Sequence, residues 1–279
     1  MGIGTFYLTF GLGVLLVEIV AGRHRGVYDR AEWTVLGLCS VLGMFVIRPA
    51  MTIASALLLG LLLPAGKGAL AGLPLWAAFA GSLIVTEFVF YWVHRWAHEG
   101  KNRPALNWLW QLHRTHHTAR YMNAMVVLRL NIFWAVVQPV TWTVALTIYL
   151  GQPFAAALVG VTQFAWNVIT HSNFRWDDAA RRHPRFGRAF RAVEHVLVSP
   201  GIHHTHHGYG KDGANYRNFG LILSGFDALF GTLHIPQGRP WRYGLPGRDA
   251  HWSEQVLWPL VRGTQAPPTG GPAGERPVA

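Results

Sequence analysis

His94-Arg95-Trp96-Ala97-His98 and, one short linker later, His113-Arg114-Thr115-His116-His117 form the stretch on which the reading of this chain turns. Spacings of three and four bring side chains to one face of a helix, so His94 and His98 project together, as do His113, His116 and His117. A helix presents several ligands to one metal in this way. His203-His204-Thr205-His206-His207 repeats the H-x-x-H-H spacing. A lone H-x3-H arises readily on any helix surface; three such groups in one chain predict a metal centre.

The surrounding chain has the character of a membrane protein. Of its 279 residues, 51% are hydrophobic and only 13% charged, against about 25% charged in soluble domains. The net charge is +11, but the arginines sit beside apolar segments. That pattern suits anionic lipid headgroups and speaks against nucleic acid as a partner. Cys39, the single cysteine, lies in an apolar run, which excludes a disulfide framework and a cysteine-based zinc or iron–sulfur site within one chain. Metal chemistry must rest on histidine, helped at most by Asp, Glu or Asn.

These patterns predict an all-α fold, a polytopic membrane helical bundle of about four to six membrane helices carrying a cytosol-facing, histidine-rich di-metal domain. The candidate spans are Ile3 to Val20; Trp33 to Leu63, read as one kinked helix or a short hairpin because Arg48-Pro49 interrupts it; Leu75 to Val93; Leu130 to Leu150; and Pro153 to Thr170. Three regions follow: N-terminal membrane helices at 1–72, a catalytic region at 73–235 with spans at 75–93, 130–150 and 153–170, and a C-terminal extension at 236–279 whose Pro/Gly-rich tail from Thr264 is predicted to be disordered. With no Lys or Arg before Arg23, the first apolar segment is expected to be retained and not cleaved as a signal peptide. The last two spans form a hairpin, which returns the chain to the face it left and lets His171 join His94–His117. The positive-inside rule puts that face in the cytoplasm, and the Ala-, Gly- and Arg-rich composition points to a bacterial inner membrane.

Around the histidines, Glu87, Tyr91, His94 and His98 fall on one helical stripe. Glu87 is expected either to orient a ligand imidazole or to make a polar contact with a neighbouring helix. Glu18 is expected to reach an interface, and the arginine-rich segment 175–191 to lie against headgroups. His204, turned about 100° from His203 on a helix, reads as a supporting or surface residue, and His195 lies upstream on the same segment. His24, His183, His234 and His251 have no spacing partners and are expected at the surface.

The chain resembles the fatty acid hydroxylase and sterol desaturase superfamily of integral membrane di-iron oxygenases. Its eight-histidine signature, H-x3-H, H-x2-H-H and H-x2-H-H, is met by His94 and His98, by His113, His116 and His117, and by His203, His206 and His207. Glu87-Phe-Val-Phe-Tyr91-Trp-Val-His94-Arg95 and Leu109-Trp110-Gln-Leu-His113 are similar to the sequences preceding the family's first two boxes. His171-Ser172-Asn173 resembles its additional histidine at a helix end, implying a ninth ligand. Ser199-Pro200-Gly-Ile-His203, Asn215-Tyr216 and Phe226-Asp227 through Thr232 resemble its closing segments, which puts Asn173, Asn215 and Asp227 among the supporting residues. Glu87 stands where many relatives carry Asp, and Phe226 where Trp is usual.

Imidazole suits Fe, Zn, Cu and Ni alike, so ligand type leaves the metal open. Nine histidines are too many for one ion and fit two ions with open positions. Zinc would imply hydrolysis through bound hydroxide, and a membrane-embedded zinc hydrolase or other non-redox metalloenzyme is the alternative reading. A metal transporter would carry ligands at mid-depth on facing helices; here they stand at helix ends. The resemblance implies two iron ions, O2 as co-substrate, and hydroxylation or desaturation of a C–H bond in a lipid substrate. With no flavin, haem or ferredoxin motif in the chain, electrons are expected from a separate donor of reductase, ferredoxin or cytochrome type.

Overall fold

The computed structural model describes residues 2–265, so the tail beyond Gln265 lies outside the described residues. The fold is almost wholly helical. Its helices are α1 (Ile3–Val20), α2 (Arg30–Leu62), α3 (Leu75–Glu99), α4 (Asn107–His117), α5 (Pro139–Tyr149), α6 (Pro153–His171), α7 (Trp176–Arg182), α8 (Gly187–Glu194), α9 (Pro200–His207), α10 (Gly225–Leu229) and α11 (Trp252–Leu257). The only sheet among the described residues is one antiparallel pair, β1 (Gly208–Tyr209) with β2 (Arg242–Tyr243).

Three helices, α2, α3 and α6, are long and apolar enough to cross a membrane, and α1 supplies a further apolar helix. The stretch 33–63 is one continuous helix and not a hairpin. Its irregularity lies just before Pro49, where Cys39–Ile47 winds as a π-helix. A proline lacks the N–H for the ladder and its ring presses on the carbonyl four residues back; the looser winding accommodates both without a break. The stretch Leu130–Leu150, predicted as one span, is not a continuous helix. It holds a single turn, Trp134–Val137, an extended Gln138 (φ −63°, ψ 121°) and then the 11-residue α5. The residue before a proline is driven out of the helical region, and Pro139 imposes that on Gln138. What remains is well short of the roughly 20 residues of a span.

The helices pack through small and hydroxylated side chains, as expected where no water drives association. Thr86 Oγ1 donates to Thr143 Oγ1 at 2.8 Å and Thr147 Oγ1 to Ser82 Oγ at 3.1 Å, joining α3 to α5. Gly11 of α1 faces Phe164 of α6 so closely that a Cβ would come within 3.2 Å of the ring.

Glu18 does not reach an interface. It is fully buried, accepting from the backbone N–H groups of Ala124 (2.9 Å) and Asn173 (2.7 Å) and lying 3.1 Å from His24 Nε2. α1 is thereby fastened to the segment that follows α6, and His24, half-buried with its Nδ1 2.6 Å from the Tyr28 hydroxyl, is part of that fastening and not a surface residue. The C-terminal region is equally attached. Arg114 pairs with Glu254 (2.6 Å), Thr115 Oγ1 donates to the Gln255 carbonyl (2.6 Å), and Arg129 and Thr118 share the Gln255 side chain. α11 thus braces the back of the histidine-bearing α4.

Candidate metal centre

Each histidine is delivered by a helix end. α3 emerges from its apolar stretch at His94 and His98, α4 carries its three histidines in its last turns, and α6 ends on His171. α9 is started by Ser199, whose side chain accepts from Ile202 N–H (3.3 Å), with Pro200 at its first position, a combination that favours helix initiation. Its histidines then fall on defined faces.

The nine side chains meet in two buried groups, His94, His98, His113, His117 and His206 in one, and His116, His171, His203 and His207 in the other. Within each group the nitrogen atoms available as ligands lie within 4.8 Å of one another. The sequence boxes therefore do not correspond to sites. His113 and His117 share a group, being four residues apart, whereas His116 is turned to the other, and α9 divides likewise, with His203 and His207 apart from His206. Histidines four apart differ by only about 40° around the helix, while the third is offset by about 60° or more. Two facing helices can thereby feed two neighbouring ions.

Hydrogen bonds fix the tautomers. Backbone carbonyls only accept, so His94 Nδ1 donates to Phe219 O, His171 Nδ1 to Asn167 O and His206 Nδ1 to Arg217 O, each at 2.8 Å. In the neutral rings this turns the Nε2 lone pairs inward. His94 Nε2 lies 3.0 Å from His113 Nε2, and His171 Nε2 lies 3.1 Å from His116 Nε2 and 2.9 Å from His203 Nε2. His206 Nε2 and both nitrogens of His98 are buried without a hydrogen-bond partner among the described residues. Converging lone pairs and orphaned imidazole nitrogens are what a cation relieves. Ligand nitrogens at about 2.1 Å from one ion are at most about 4.2 Å apart, so both groups close on an ion with small side-chain movements. The residues fit two metal ions in an all-imidazole donor set.

Burial, reinforced by the neighbouring imidazoles, holds His113, His116, His117, His203, His206 and His207 well below the usual imidazole pKa. They stay neutral and ready to bind metal at pH 7. The unfolded chain protonates these rings below about pH 6.5 while the folded, metal-free chain does not. The unfolded state therefore binds more protons, and stability falls as pH falls. Each fully depressed imidazole contributes up to about 1.4 kcal/mol per pH unit below its unfolded pKa. Chelator-treated protein in detergent is expected to melt at progressively lower temperature as pH is taken from 7.5 to 5.5; a flat profile would contradict this account of the site.

The supporting residues act through the loop between β1 and α10. Asp227 accepts from Phe219 N–H, Gly220 N–H and Thr232 Oγ1, each at 2.7 Å, and so fixes the carbonyl that holds His94. Burial raises its pKa despite these bonds. The Tyr91 hydroxyl lies 2.9 Å from Thr232 Oγ1 and accepts from Arg95 at 3.1 Å, extending the same network. Among the described residues Glu87 makes no hydrogen bond to an imidazole. Its Oε1 accepts from Gln163 Nε2 of α6 (2.8 Å) and its Oε2 from the N–H groups of Ile222 (2.7 Å) and Leu223 (3.0 Å). His204 is buried, not at the surface, with Nδ1 3.2 Å from the Tyr243 hydroxyl. His195 is exposed, its Nδ1 on the Arg191 carbonyl (2.8 Å), and stands outside both groups. Asn173 contributes its backbone N–H to Glu18. Asn215 is half-buried, while Asn218, not singled out from the sequence, is fully buried and spans Ile202 O and His234 O. His183 is exposed; His234 and His251 are half-buried, and none joins the groups.

A cavity of about 730 Å³ opens among α1, α2, α5 and α6, walled largely by apolar side chains including Leu15, Phe45, Val144, Ala156 and Val168. A smaller chamber of about 50 Å³ shares Met44, Val127, Val140 and Phe164 with it and reaches Asn167, whose carbonyl holds His171. An apolar compartment walled in part by the membrane-length α2 and α6 thus extends as far as Asn167, one turn before His171.

Fold and site together define an integral-membrane helical protein with paired, buried, all-histidine metal cradles. A family profile described as fatty acid hydroxylase matches residues 79–232, and the chain belongs to that family. It is similar to proteins named alkylglycerol monooxygenase, at 23% identity to the one from Xenopus tropicalis over 61% of this chain and 32% of that protein, and 24% to the one from Homo sapiens over 57% and 30%. The chain spans about a third of the length of these curated relatives. No solved structure matches it.

Proposed function

We propose that the protein is a membrane-bound di-iron monooxygenase that hydroxylates a C–H bond of a lipid, using O2 and electrons from a separate donor protein. The observation that carries this reading is the pair of buried all-histidine groups in a chain whose membrane-length α2 and α6 wall a large apolar cavity. Its volume lies within the range of small-molecule sites, and the names of its relatives supply the reaction type. The ligand set is the nine histidines. Two iron ions bound there would supply O2 reduction and removal of hydrogen from an unactivated C–H bond. The chain's own part is positional. Carbonyls 167, 217 and 219 keep the Nδ1 protons on His171, His206 and His94 and so aim Nε2 at the metals. The apolar walls exclude water and hold an alkyl chain, and the depth of the cavity governs which carbon stands nearest the ligands.

The region 73–235 is the catalytic unit in this reading, with 1–72 closing the cavity. The basic residues Arg95, Arg103, Arg114 and Arg120 near the histidine helices support a cytoplasmic orientation of the site, in a bacterial inner membrane. The test is elemental analysis of protein purified anaerobically in detergent. About two iron atoms per chain are expected, together with oxygen-dependent change in lipid extracts of expressing cells. Two zinc atoms persisting after growth in iron-rich, zinc-poor medium would favour the hydrolase instead.

A further inference from the structure

The arginine-rich segment that follows α6 is only partly a solvated basic surface. Arg181 is buried and bonded to Asp177 (3.0 Å), Asp178 (3.0 Å) and Glu194 (2.7 Å). Arg239 joins the same carboxylates, Asp178 at 3.0 Å and Asp177 more closely still. Asp178, Arg181 and Arg239, backed by Asp177 and Glu194, form the ion-paired floor of a cavity of about 350 Å³ between α7, α8 and the loop at 237–241. Its walls include Arg175, Arg182 and Arg191, none of which has a carboxylate partner within 4.0 Å among the described residues. Arg182 Nε is steadied on the Asp178 carbonyl (3.1 Å) and Arg191 on the Gln237 side chain (3.3 Å), leaving the rest of each guanidinium to the cavity. Five guanidinium groups thus meet three carboxylates, an excess of two positive charges around one recess.

We infer that this recess is a binding site for a phosphate group, carried by an anionic lipid headgroup or free in solution. Forked guanidinium donors match the several acceptor oxygens of phosphate and bind it through charge-assisted hydrogen bonds. The ion-paired floor holds the walls in place before the ligand arrives. Location favours the lipid as source. Arg175 lies just beyond His171, the last residue of a membrane-length helix. Trp176 is 49% exposed and Trp241, in the cavity wall, 56% exposed, and indole rings beside arginines are the pattern of a membrane interface. The site is separate from the histidine cradles, so its test does not depend on the oxygenase reading.

The experiment is thermal unfolding of the full chain in neutral detergent with added short-chain phosphatidylglycerol, the corresponding diacylglycerol, or sodium phosphate. Saturable stabilisation by phosphatidylglycerol and none by diacylglycerol is expected. The combined Arg175→Gln, Arg182→Gln, Arg191→Gln variant is expected to weaken that apparent affinity at least about tenfold, one power of ten in the binding constant. Arg175→Gln alone, which removes no hydrogen bond given by the fold, should weaken it in the same direction and guards against misfolding of the triple variant. Arg185→Gln with Arg188→Gln, exposed arginines outside the recess, should leave it unchanged. Stabilisation by sodium phosphate with the same dependence on the three arginines would support the site with a soluble source. Equal stabilisation by diacylglycerol, an effect that survives in the triple variant, or no effect of either phosphate source would overturn it.

Discussion

His171→Ala is expected to lose metal and turnover at least as severely as His113→Ala. His171 belongs to the smaller group, whose four histidines would share one ion in the proposed centre. Its Nε2 lies between His116 Nε2 (3.1 Å) and His203 Nε2 (2.9 Å), so its removal leaves three histidines around a gap. His113 occupies the corresponding position between His94 and His117 but leaves four ligands behind. Loss of an outer partner of a metal ligand already costs about 10–100-fold in affinity or activity, and loss of a ligand should exceed that. Elemental analysis is expected to find about one metal fewer per chain in either variant, with turnover down more than about 100-fold. His183→Ala is the control: that side chain is exposed and caps the backbone N–H groups of Arg185 and Phe186 at 3.2 and 3.3 Å. Full metal and turnover in His171→Ala would remove it from the ligand set.

Eight of the nine clustered histidines were legible in the sequence because helical spacing is local, and His171, which has no spacing partner, through the hairpin and the resemblance. What the boxes did not reveal is how they are shared. H-x-x-H-H looks like one ligand group, yet His116 and His206 each leave their own box for the group on the other side. That division depends on how α4 and α9 face each other, which no local spacing records. The outer partners of the ligands were hidden for another reason: they are the carbonyls of Asn167, Arg217 and Phe219, and every residue carries a carbonyl. Glu18 and Arg181 stand away from the interfaces that their apolar or basic sequence neighbours suggest: Glu18 is satisfied by backbone groups more than 100 residues away, and Arg181 by Asp177 and Asp178 one turn back together with Glu194 of the next helix. The broken span at 130–150 was readable in principle, since Gln138-Pro139 is a local signal, but apolar composition outweighed it.

Glu87 shows how that distinction can be tested. Its place on the stripe with His94 suggests orienting an imidazole or joining a neighbouring helix, and the structure gives it Gln163 of α6 together with the loop at 222–223. It nonetheless bears on the metal. Glu87 holds that loop by its N–H groups while His94, two turns along the same helix, holds the carbonyl of Phe219. Glu87→Leu is expected to leave the buried N–H of Ile222 unpaired at a cost of about 1–3 kcal/mol, a large part of a typical folding stability, and the part-buried N–H of Leu223 unpaired at a smaller one. In whatever protein still folds, metal affinity at the five-histidine group should fall about 10–100-fold, with the four-histidine group less affected. Glu87→Gln should be far milder. The new amide oxygen can accept from Ile222 and Leu223, and its NH2 can face Gln163 if that amide turns to present its oxygen, which is buried without a partner in the native protein. Melting temperature together with metal content of both variants reads this out: a folded Glu87→Gln protein stripped of metal would mean that the negative charge itself acts on the metal site, and not the loop that Glu87 holds.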